Sequence, residues 1–208
     1  MSWRIRRWDL YAPHYDRWIS FENQRRRSFE LARLEAGERV LISGCGTGLD
    51  LPLLPAGLEV FAVDASPGML RRALGRECLS PVRFALMDAQ RLAFPDSCFD
   101  CVVLHLIVAI VEDPLACLRE AVRVLRPGGR IALFDKYHDG IGKPRLIRRA
   151  LNPLMRLLAT DLNVPLPRLA RQAGLRIAAE EPALLRGLFR VARLEPQAAT
   201  KQAEATGA

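Results

Sequence analysis

The residues best suited to chemistry form a glycine-rich loop, Gly44-Cys45-Gly46-Thr47-Gly48, which follows the apolar run Val40-Leu41-Ile42 after a single serine. Successive glycines let a backbone turn sharply and let a ligand approach without meeting a Cβ atom. Nicotinamide-binding loops favour the spacing G-x-G-x-x-G, in which a pyrophosphate rests on a helix N-terminus. Here the spacing is G-x-G-x-G, with Leu49 in the sixth place. The loop therefore predicts a ligand other than a dinucleotide.

Two carboxylates follow the next two apolar runs of the chain. The run Glu59-Val60-Phe61-Ala62-Val63 ends at Asp64, where a carboxylate could accept hydrogen bonds from both hydroxyls of a ribose. Met87-Asp88-Ala89 places a second carboxylate after the following run, in a position suited to the exocyclic amine of an adenine. Together with the glycine loop, these carboxylates outline a nucleoside.

These groups need a sheet that brings their strand ends to one edge. From Arg39 onward, short β-branched or leucine-rich runs alternate with helical stretches, which is typical of an α/β fold. The predicted strands span 39–43, 59–63, 82–87, 99–106 and 129–134, with a terminal hairpin of 175–180 and 187–193. Helices are predicted over 114–125, before Pro127-Gly128-Gly129, and near 167–174. Such an open, doubly wound sheet binds ligands beyond the carboxyl ends of its strands.

Length and composition indicate one domain. The chain has 208 residues, of which 50% are apolar, and these suffice for a single sizeable core. From Glu195 onward the chain lacks large apolar residues, so 195–208 is predicted to be a disordered tail. No apolar segment of signal-peptide length follows the basic start, and no stretch approaches membrane-spanning length. We therefore expect a cytoplasmic protein.

The cysteines predict neither a disulfide framework nor a metal site. Their number, five, is odd, and the sequence shows no export signal, which favours reduced thiols. Cys98 and Cys101 have the spacing C-x-x-C, but Cys101 lies in the apolar run Cys101-Val102-Val103-Leu104. We interpret it as a buried strand residue rather than a redox or metal ligand, and we assign no metal.

The charge is basic, with 31 lysines and arginines against 23 acidic residues. The basic residues are mostly arginines, which cluster at 4–7, 25–27 and 145–149. These clusters are compatible with solvated helix faces, with an anionic membrane surface or with a phosphate-bearing substrate. Nucleic acid is the weaker alternative, because no recognition helix, zinc motif or aromatic-stacking motif accompanies the charge.

Four motifs occur together in a specific order and spacing. They are the glycine loop 44–48, Val63-Asp64-Ala65-Ser66-Pro67-Gly68-Met69-Leu70, Met87-Asp88-Ala89 and Val124-Leu125-Arg126-Pro127-Gly128-Gly129. Through them the sequence resembles the class I S-adenosylmethionine-dependent methyltransferases over roughly 34–137. The resemblance implies a Rossmann-like, doubly wound, mostly parallel seven-stranded sheet with an antiparallel terminal hairpin and an N-terminal helical lid. It implies one domain over 1–194, with 1–36 as the lid, 37–137 as the cofactor core, and 138–194 as the acceptor cap and terminal strands.

The resemblance also assigns a role to each motif. The glycine loop would lie under the methionine part of S-adenosylmethionine, and Asp64 would hold the ribose. Met69 would pack on the adenine with Asp88 at its amine, while Ala65 and Ala89 would line the pocket through their backbone. The implied cofactor-binding residues are Ser43, Gly44, Cys45, Gly46, Thr47, Gly48, Asp50, Asp64, Ala65, Met69, Asp88, Ala89 and His105.

The chain departs from the family pattern at Ile42, where an acidic residue often anchors the ammonium group of the cofactor. Asp50, just beyond Gly48, could replace that acidic residue. The alternative is a carboxylate in the first turn of a helix, where it interacts favourably with the helix dipole. The sequence leaves both interpretations open.

His105 and Tyr15 are the predicted acceptor-facing residues. His105 ends the fourth strand and is interpreted either as a general base or positioning group, or as a core histidine. The segment Tyr11-Ala12-Pro13-His14-Tyr15-Asp16 resembles the Y-x-x-x-Y-D lid element of small-molecule members, so Tyr15 either closes the pocket or pins the first helix to the sheet. Methyl transfer can proceed without a base, by alignment and exclusion of water. The other groups able to take a proton are Tyr11, Asp135, Tyr137 and Asp161.

The stretch 144–160 is basic and amphipathic. It is interpreted either as a cap over the acceptor pocket or as a surface that rests on a membrane. Trp3 and Trp8 lie among Arg4, Arg6 and Arg7, which favours lipid contact. On that interpretation the protein is cytoplasmic but peripheral to the inner face of the membrane.

We therefore expect a methyltransferase that acts on a small or lipid-like acceptor, most similar to phospholipid N-methyltransferases and quinone C-methyltransferases. The favoured acceptor is an aminophospholipid amine, and the alternative is carbon methylation of a prenylated quinone precursor. A noncatalytic module that binds S-adenosylmethionine is the alternative from another class, suggested by Ile42. A nicotinamide oxidoreductase is disfavoured by the loop spacing.

Overall fold

A computed structural model describes residues 3–137 and 164–197 of the chain. Its helices are α1 (Trp3–Tyr11), α2 (Tyr15–Trp18), α3 (Glu22–Ala32), α4 (Pro67–Ala73), α5 (Pro114–Val124) and α6 (Leu166–Gln172). Its strands are β1 (Arg39–Ser43), β2 (Glu59–Asp64), β3 (Val82–Leu86), β4 (Phe99–His105), β5 (Leu125–Lys136), β6 (Leu175–Leu184) and β7 (Phe189–Pro196). The predicted amphipathic stretch 144–160 and the candidate Asp161 lie outside the described residues.

The strands form one seven-stranded sheet in the order β3-β2-β1-β4-β5-β7-β6. The central strand β1 is parallel to both neighbours, and its Leu41 pairs with Phe61 on β2 and Val102 on β4. β7 lies antiparallel between β5 and β6. The strand order reverses between β1 and β4, which places a ligand crevice at their carboxyl ends. The predicted α/β sheet and its antiparallel hairpin are confirmed.

Apolar side chains cover both faces of the central strands. On one face Leu41 packs with Val102 and Leu133, and on the other Val40 and Ile42 pack against the helices of the opposite layer. Parallel strands that are buried on both faces are apolar at nearly every position, which explains the continuous runs in the sequence. Ile42 is 1% exposed and is therefore a core residue.

β5 is longer than predicted. α5 ends at Val124, and Leu125 already pairs with Phe99 before the register shifts at Cys101. The helix-stopping segment Pro127-Gly128-Gly129 thus lies within the irregular start of β5 rather than in a separate loop. A Cβ atom at Gly129 would lie 2.9 Å from the carbonyl oxygen of Arg126, so this close turn requires glycine.

The last strand passes the point at which the tail was predicted to begin. β7 includes Glu195 and reaches Pro196, which is opposite Leu175 on β6. Beyond it, the backbone N–H of Gln197 donates to the carbonyl oxygen of Gly174 at 2.7 Å. Pairing with β6 therefore orders two residues that composition alone assigned to the tail.

The cysteines are free thiols in the structure. Cys101 is fully buried in β4, as predicted for a strand residue, and burial raises its pKa to about 12. A thiol in this environment stays protonated and unreactive near neutral pH.

The N-terminal helices lie against the sheet and against α4. α1 contacts α4, and α3 packs on β5 and β7. Among the described residues, no helix is both long and apolar enough to cross a membrane.

Candidate active site

The glycine loop turns directly off the carboxyl end of β1. The backbone N–H groups of Gly44 and Cys45 both donate to the carbonyl oxygen of Val63, at 2.9 and 2.8 Å, which fastens the loop to the end of β2. Gly44 has a φ of +79°, and a Cβ atom there would lie 2.6 Å from Cδ1 of Ile107. Glycine is therefore required both by the backbone conformation and by the close approach of the segment after β4.

Asp64 is held in place by the backbone around it. Its Oδ2 accepts the N–H of Gly46 at 2.8 Å, and its Oδ1 accepts the N–H of Ser66 at 2.8 Å. Burial raises the pKa of Asp64, and these backbone hydrogen bonds oppose the rise. A carboxylate has about four acceptor positions, so both oxygens keep the capacity to accept a ligand hydroxyl.

One cleft of about 890 Å³ opens at this edge of the sheet. The predicted residues that line it are Tyr15, Gly44, Gly46, Asp64, Ala65, Met69, Asp88, Ala89 and His105. The predicted residues Ser43, Cys45, Thr47, Gly48 and Asp50 do not line it. Cys45 is 5% exposed and packs in the core, and Gly48 is held close to Ala73 of α4.

The part of the cleft around Asp88 contains a polar residue that sequence reasoning missed. Gln90 lines the cleft, and its Nε2 donates to Oδ1 of Asp88 at 2.9 Å. Its Oε1 accepts the backbone N–H of Asp113 at 2.7 Å. Gln90 therefore fixes the orientation of Asp88 and ties it to the start of α5. The sequence signal that could have identified Gln90 is its position, two residues after Asp88.

Asp50 lies in neither of the two environments that the sequence suggested for it. It is 2% exposed, lies outside the cleft lining, and is followed by a short 3-10 turn rather than an α-helix. Its Oδ1 pairs with Nη1 of Arg25 at 2.8 Å and with Nδ1 of His105 at 2.6 Å. Burial alone would raise the pKa of Asp50, but the charges and hydrogen bonds of these two partners hold it well below its usual range.

His105 has a hydrogen-bond partner at each ring nitrogen. Because Asp50 is ionised, Nδ1 of His105 carries a proton and donates a hydrogen bond to that carboxylate. Nε2 lies 2.9 Å from Oγ of Ser28, which is itself 3.3 Å from the carbonyl oxygen of Leu133. The imidazole lines the cleft while both nitrogens point into a buried network. This geometry suits a positioning role better than proton abstraction from an acceptor.

The residue after His105 makes the turn into the cleft wall. Leu106 has a φ of +59°, in the left-handed region, and its N–H donates to the carbonyl oxygen of Phe134 at 2.7 Å. Its side chain is buried and lines the cleft. Non-glycine residues in this conformation are uncommon and concentrate at functional sites.

The N-terminal helices cover the cleft and are fastened to the cofactor motifs. Trp8 of α1 and Tyr15 of α2 line the cleft, with their rings 6.3 Å apart in an edge-to-face arrangement. Asp16 accepts a hydrogen bond from the hydroxyl of Thr47 and forms an ion pair with Arg76. Thr47 thus contacts the lid segment rather than the cleft.

A second aspartate fastens α1 to the start of α4. Oδ1 of Asp9 accepts the backbone N–H of Gly68 at 2.7 Å and the hydroxyl of Ser66 at 2.6 Å. Ser66 in turn caps α4 by accepting the N–H of Met69 at 3.1 Å. Neither aspartate contact was foreseen from the sequence, because each joins segments more than thirty residues apart.

Of the other proton acceptors named from the sequence, the three that the structure describes, Tyr11, Asp135 and Tyr137, do not line the cleft. Tyr11 is 38% exposed, and the buried carboxylate of Asp135 accepts backbone N–H groups from Ala109 and Lys136. The hydroxyl of Tyr137 donates to Oε1 of Glu180 at 2.5 Å. These groups support the fold around the site.

The sheet order, the glycine loop after β1 and the carboxylates after β2 and β3 define the class I S-adenosylmethionine-dependent methyltransferases. Residues 41–133 match the family described as methyltransferase domain. The chain is 31% identical to a phosphatidylethanolamine N-methyltransferase of Cereibacter sphaeroides over 90% of this chain and 98% of that protein. The chain therefore belongs to the S-adenosylmethionine-dependent methyltransferases; it is an enzyme, and S-adenosylmethionine is its methyl donor.

Two further comparisons agree with this placement. A demethylmenaquinone methyltransferase of Renibacterium salmoninarum is 36% identical over 53% of this chain and 46% of that protein. The structure of the CcbJ methyltransferase from Streptomyces caelestis superposes with a TM-score of 0.69 at 18% identity, over 90% of this chain and 96% of that one. At that identity, the structural likeness shows the fold alone. Membership of an enzyme family does not support the alternative of a noncatalytic module.

Proposed function

We propose that the acceptor is the amine of an aminophospholipid. The observation that carries this proposal is the extent of the similarity to the Cereibacter sphaeroides phosphatidylethanolamine N-methyltransferase, which covers 90% of this chain. That extent includes segments on both sides of the cofactor core. The Renibacterium salmoninarum relative matches over 53% of this chain, about the extent of the cofactor core. Because the longer match also covers the segments around the core, including the N-terminal helices that line the cleft, it is the more informative about the acceptor.

The cleft residues fit the cofactor in the arrangement that the family resemblance implies. We assign the glycine loop to the methionine part, Asp64 to the ribose hydroxyls and Met69 to the adenine ring. Asp88, oriented by Gln90, is assigned to the adenine amine. The fit is supported by Gly46, which lines the cleft and where a Cβ atom would meet nothing within 4 Å, so the loop leaves open space for a ligand.

The cofactor supplies an electrophilic methyl group on a sulfonium sulfur. The protein's own contribution is alignment of the acceptor and exclusion of water, which together lower the barrier without covalent chemistry. Trp8 and Tyr15 close the cleft, and the buried network around His105 holds the wall opposite the lid. Burial raises the pKa of Tyr15 to about 12, so its hydroxyl stays protonated at neutral pH. The Tyr15 oxygen therefore orients the acceptor by accepting a hydrogen bond from it and does not act as a base.

Peripheral contact with an anionic membrane forms part of the proposal. The chain has a net charge of +8, and the outer surface of the first two helices exposes Arg6, Arg17 and Leu10, the last at 73%. Basic residues with an exposed apolar side chain suit a lipid interface. Sedimentation with vesicles of phosphatidylglycerol at low salt tests this contact, and failure to cosediment would contradict it.

The alternative acceptor is the ring carbon of a prenylated quinone precursor, which the demethylmenaquinone methyltransferase relative supports. Both candidates are tested by transfer of a labelled methyl group from S-adenosylmethionine. One assay contains phosphatidylethanolamine in neutral-detergent micelles, and the other contains a reduced, prenylated naphthoquinone in the same micelles. We expect label in the phospholipid. Label in the quinone alone would replace the proposed acceptor with the alternative.

A further inference from the structure

Lys136, the last residue of β5, carries an ammonium group that forms no direct ion pair with any of the described residues. In the part of the chain that the structure describes, its Nζ makes no hydrogen bond or ion pair, and it lies 5.5 Å from the ring centre of Phe189. The side chain is only partly exposed, and burial lowers the pKa of Lys136. The charge of the neighbouring Asp135 opposes this effect of burial but does not contact Nζ, so a partly buried ammonium without a hydrogen-bond acceptor is stabilised when a ligand supplies one.

Three carboxylates near the end of β5 are already engaged, among them Glu181, which pairs with Arg27. Asp135 accepts the backbone N–H of Ala109 at 3.1 Å and the backbone N–H of Lys136 itself at 2.8 Å. Glu180 accepts from the hydroxyl of Tyr137 and pairs with Nη2 of Arg190 at 2.9 Å. The Lys136 ammonium is therefore left available to an anion from outside the described chain.

An aromatic cluster surrounds this lysine. The ring centres of Phe21 and Phe189 lie 5.4 Å apart, those of Phe21 and Phe134 lie 5.8 Å apart, and those of Phe134 and Phe189 lie 6.0 Å apart. Phe134 is fully buried, whereas Phe21 and Phe189 are partly exposed. The result is an apolar surface with the Lys136 ammonium at its edge.

This surface adjoins the cofactor cleft. His105 at the end of β4 pairs with Phe134 on β5, so Lys136 lies two residues further toward the carboxyl edge at which the cleft opens. Leu106 lines the cleft and also belongs to the apolar cluster with Phe134. A molecule bound against the cluster can therefore extend into the cleft.

We propose that Lys136 and the cluster of Phe21, Phe134 and Phe189 form an acceptor subsite, in which the ammonium binds a phosphodiester and the rings contact the adjoining apolar part of a phospholipid. This inference rests on the proposed function, since it explains how the same cleft would select a phospholipid. The pairing of one cation with an apolar surface matches a headgroup that carries one negative charge next to acyl chains.

The test uses calorimetry on the full-length protein saturated with S-adenosylhomocysteine. The probe is dihexanoyl phosphatidylmethanol, which has the phosphodiester but no amine to methylate, and dihexanoylglycerol is its uncharged counterpart. We expect the wild type to bind the phosphodiester more tightly. Lys136→Met should weaken that binding by about tenfold or more, as expected for one charge-assisted hydrogen bond, while Lys136→Arg keeps most of it.

The control is Arg119→Met, which removes an exposed cation of α5 and should leave binding unchanged. A purely structural role for Lys136 predicts a lower melting temperature for Lys136→Met, whereas removal of an unpaired cation should leave the melting temperature and the affinity for S-adenosylhomocysteine intact. Equal binding by wild type and Lys136→Met, or no preference for the phosphodiester, overturns the inference. Lys136-dependent binding without methylation of phosphatidylethanolamine overturns the proposed acceptor and leaves the subsite standing.

Discussion

The two walls of the cleft differ in how they are built. The wall formed by the ends of β1, β2 and β3 is polar, and its carboxylates Asp64 and Asp88 are oriented by short hydrogen bonds. The opposite wall is formed by the lid helices and the segment after β4, and it presents apolar groups such as Trp8, Ile107 and Ile110. On the proposed assignment, the polar wall holds the cofactor and the apolar wall contacts the acceptor.

The buried network of Arg25, Asp50, His105 and Ser28 adjoins the cleft through His105, and its loss should have the largest effect. Asp50→Asn leaves the buried Arg25 unpaired, so we expect the free energy of unfolding to fall by about 3–5 kcal/mol. Because the folded-state pKa of Asp50 lies below its ordinary value, this contribution is present at neutral pH and is lost as the pH falls below the usual range of an aspartate. Urea denaturation at several pH values measures the difference.

The control for this prediction is Asp96→Asn, which breaks an ion pair between Arg123 and a carboxylate that is 75% exposed. Exposed pairs contribute about 0–1 kcal/mol, so this variant should stay near the wild type. If Asp50→Asn is no less stable than Asp96→Asn at neutral pH, the network does not stabilise the protein.

Removal of the central carboxylate of the polar wall should have the next largest effect. We expect Asp64→Ala to weaken binding of S-adenosylhomocysteine by about 100-fold, because hydrogen bonds to a charged group contribute about 1.5–3 kcal/mol each. Calorimetric titration measures the change. Glu112→Gln alters another carboxylate that lines the cleft and should remain within about threefold of the wild type. Equal losses in both variants would mean that the polar wall acts only through its overall charge.

A change in the aromatic cluster of Phe21, Phe134 and Phe189, which adjoins the apolar wall, should affect the acceptor and not the cofactor. We expect Phe189→Leu to raise the KM for a phospholipid acceptor about fivefold, because an aromatic contact of about 1 kcal/mol is lost, with unchanged affinity for S-adenosylhomocysteine. Steady-state kinetics with phosphatidylethanolamine micelles measure this split. Phe84→Leu removes a partly buried ring from β3, outside the cleft, and serves as the control. An equal rise in KM in both variants would mean that the aromatic cluster does not contact the acceptor.

The smallest effect is expected where the lid joins the polar wall. Asp16→Asn weakens the partly exposed ion pair with Arg76, and we expect release of S-adenosylhomocysteine to become about threefold faster. Stopped-flow displacement measures the rate. Glu22→Gln, which alters an exposed pair within α3, should leave the rate unchanged. Slower release from Asp16→Asn would show that this contact opens the lid rather than closing it.

The sequence predicted the polar wall far better than the apolar one. The residues of the polar wall can be recognised from local sequence patterns, whereas the aromatic residues beside the apolar wall are far apart in the chain. Gly46, Asp64 and Asp88 each follow a strand closely, so a local pattern and the α/β rule that gathers strand ends at one edge locate them together. Phe21, Phe134 and Phe189 meet only in the folded protein. No local pattern distinguishes these three rings from ordinary core residues.

The environment of Asp50 also could not be predicted from a local pattern. Its proximity to the glycine loop was evident, but its partners come from α3 and from the end of β4. Long-range pairing also determines where two strands begin and end. β5 includes the Pro-Gly-Gly segment because Leu125 pairs with Phe99, and β7 includes the first two residues of the predicted tail because they pair with β6. Tertiary pairing in these places overrides local propensity.

The left-handed backbone at Leu106 has a practical consequence for redesign of the enzyme. Glycine would satisfy the φ of +59° but would leave a cavity where the leucine packs, whereas valine or isoleucine would fill the space and oppose the backbone. Proline would remove the N–H that bonds to Phe134. A library aimed at new acceptors should therefore leave position 106 alone. Substitutions should instead be made at Ile110 and Val111, which line the same cleft and have ordinary backbone conformations.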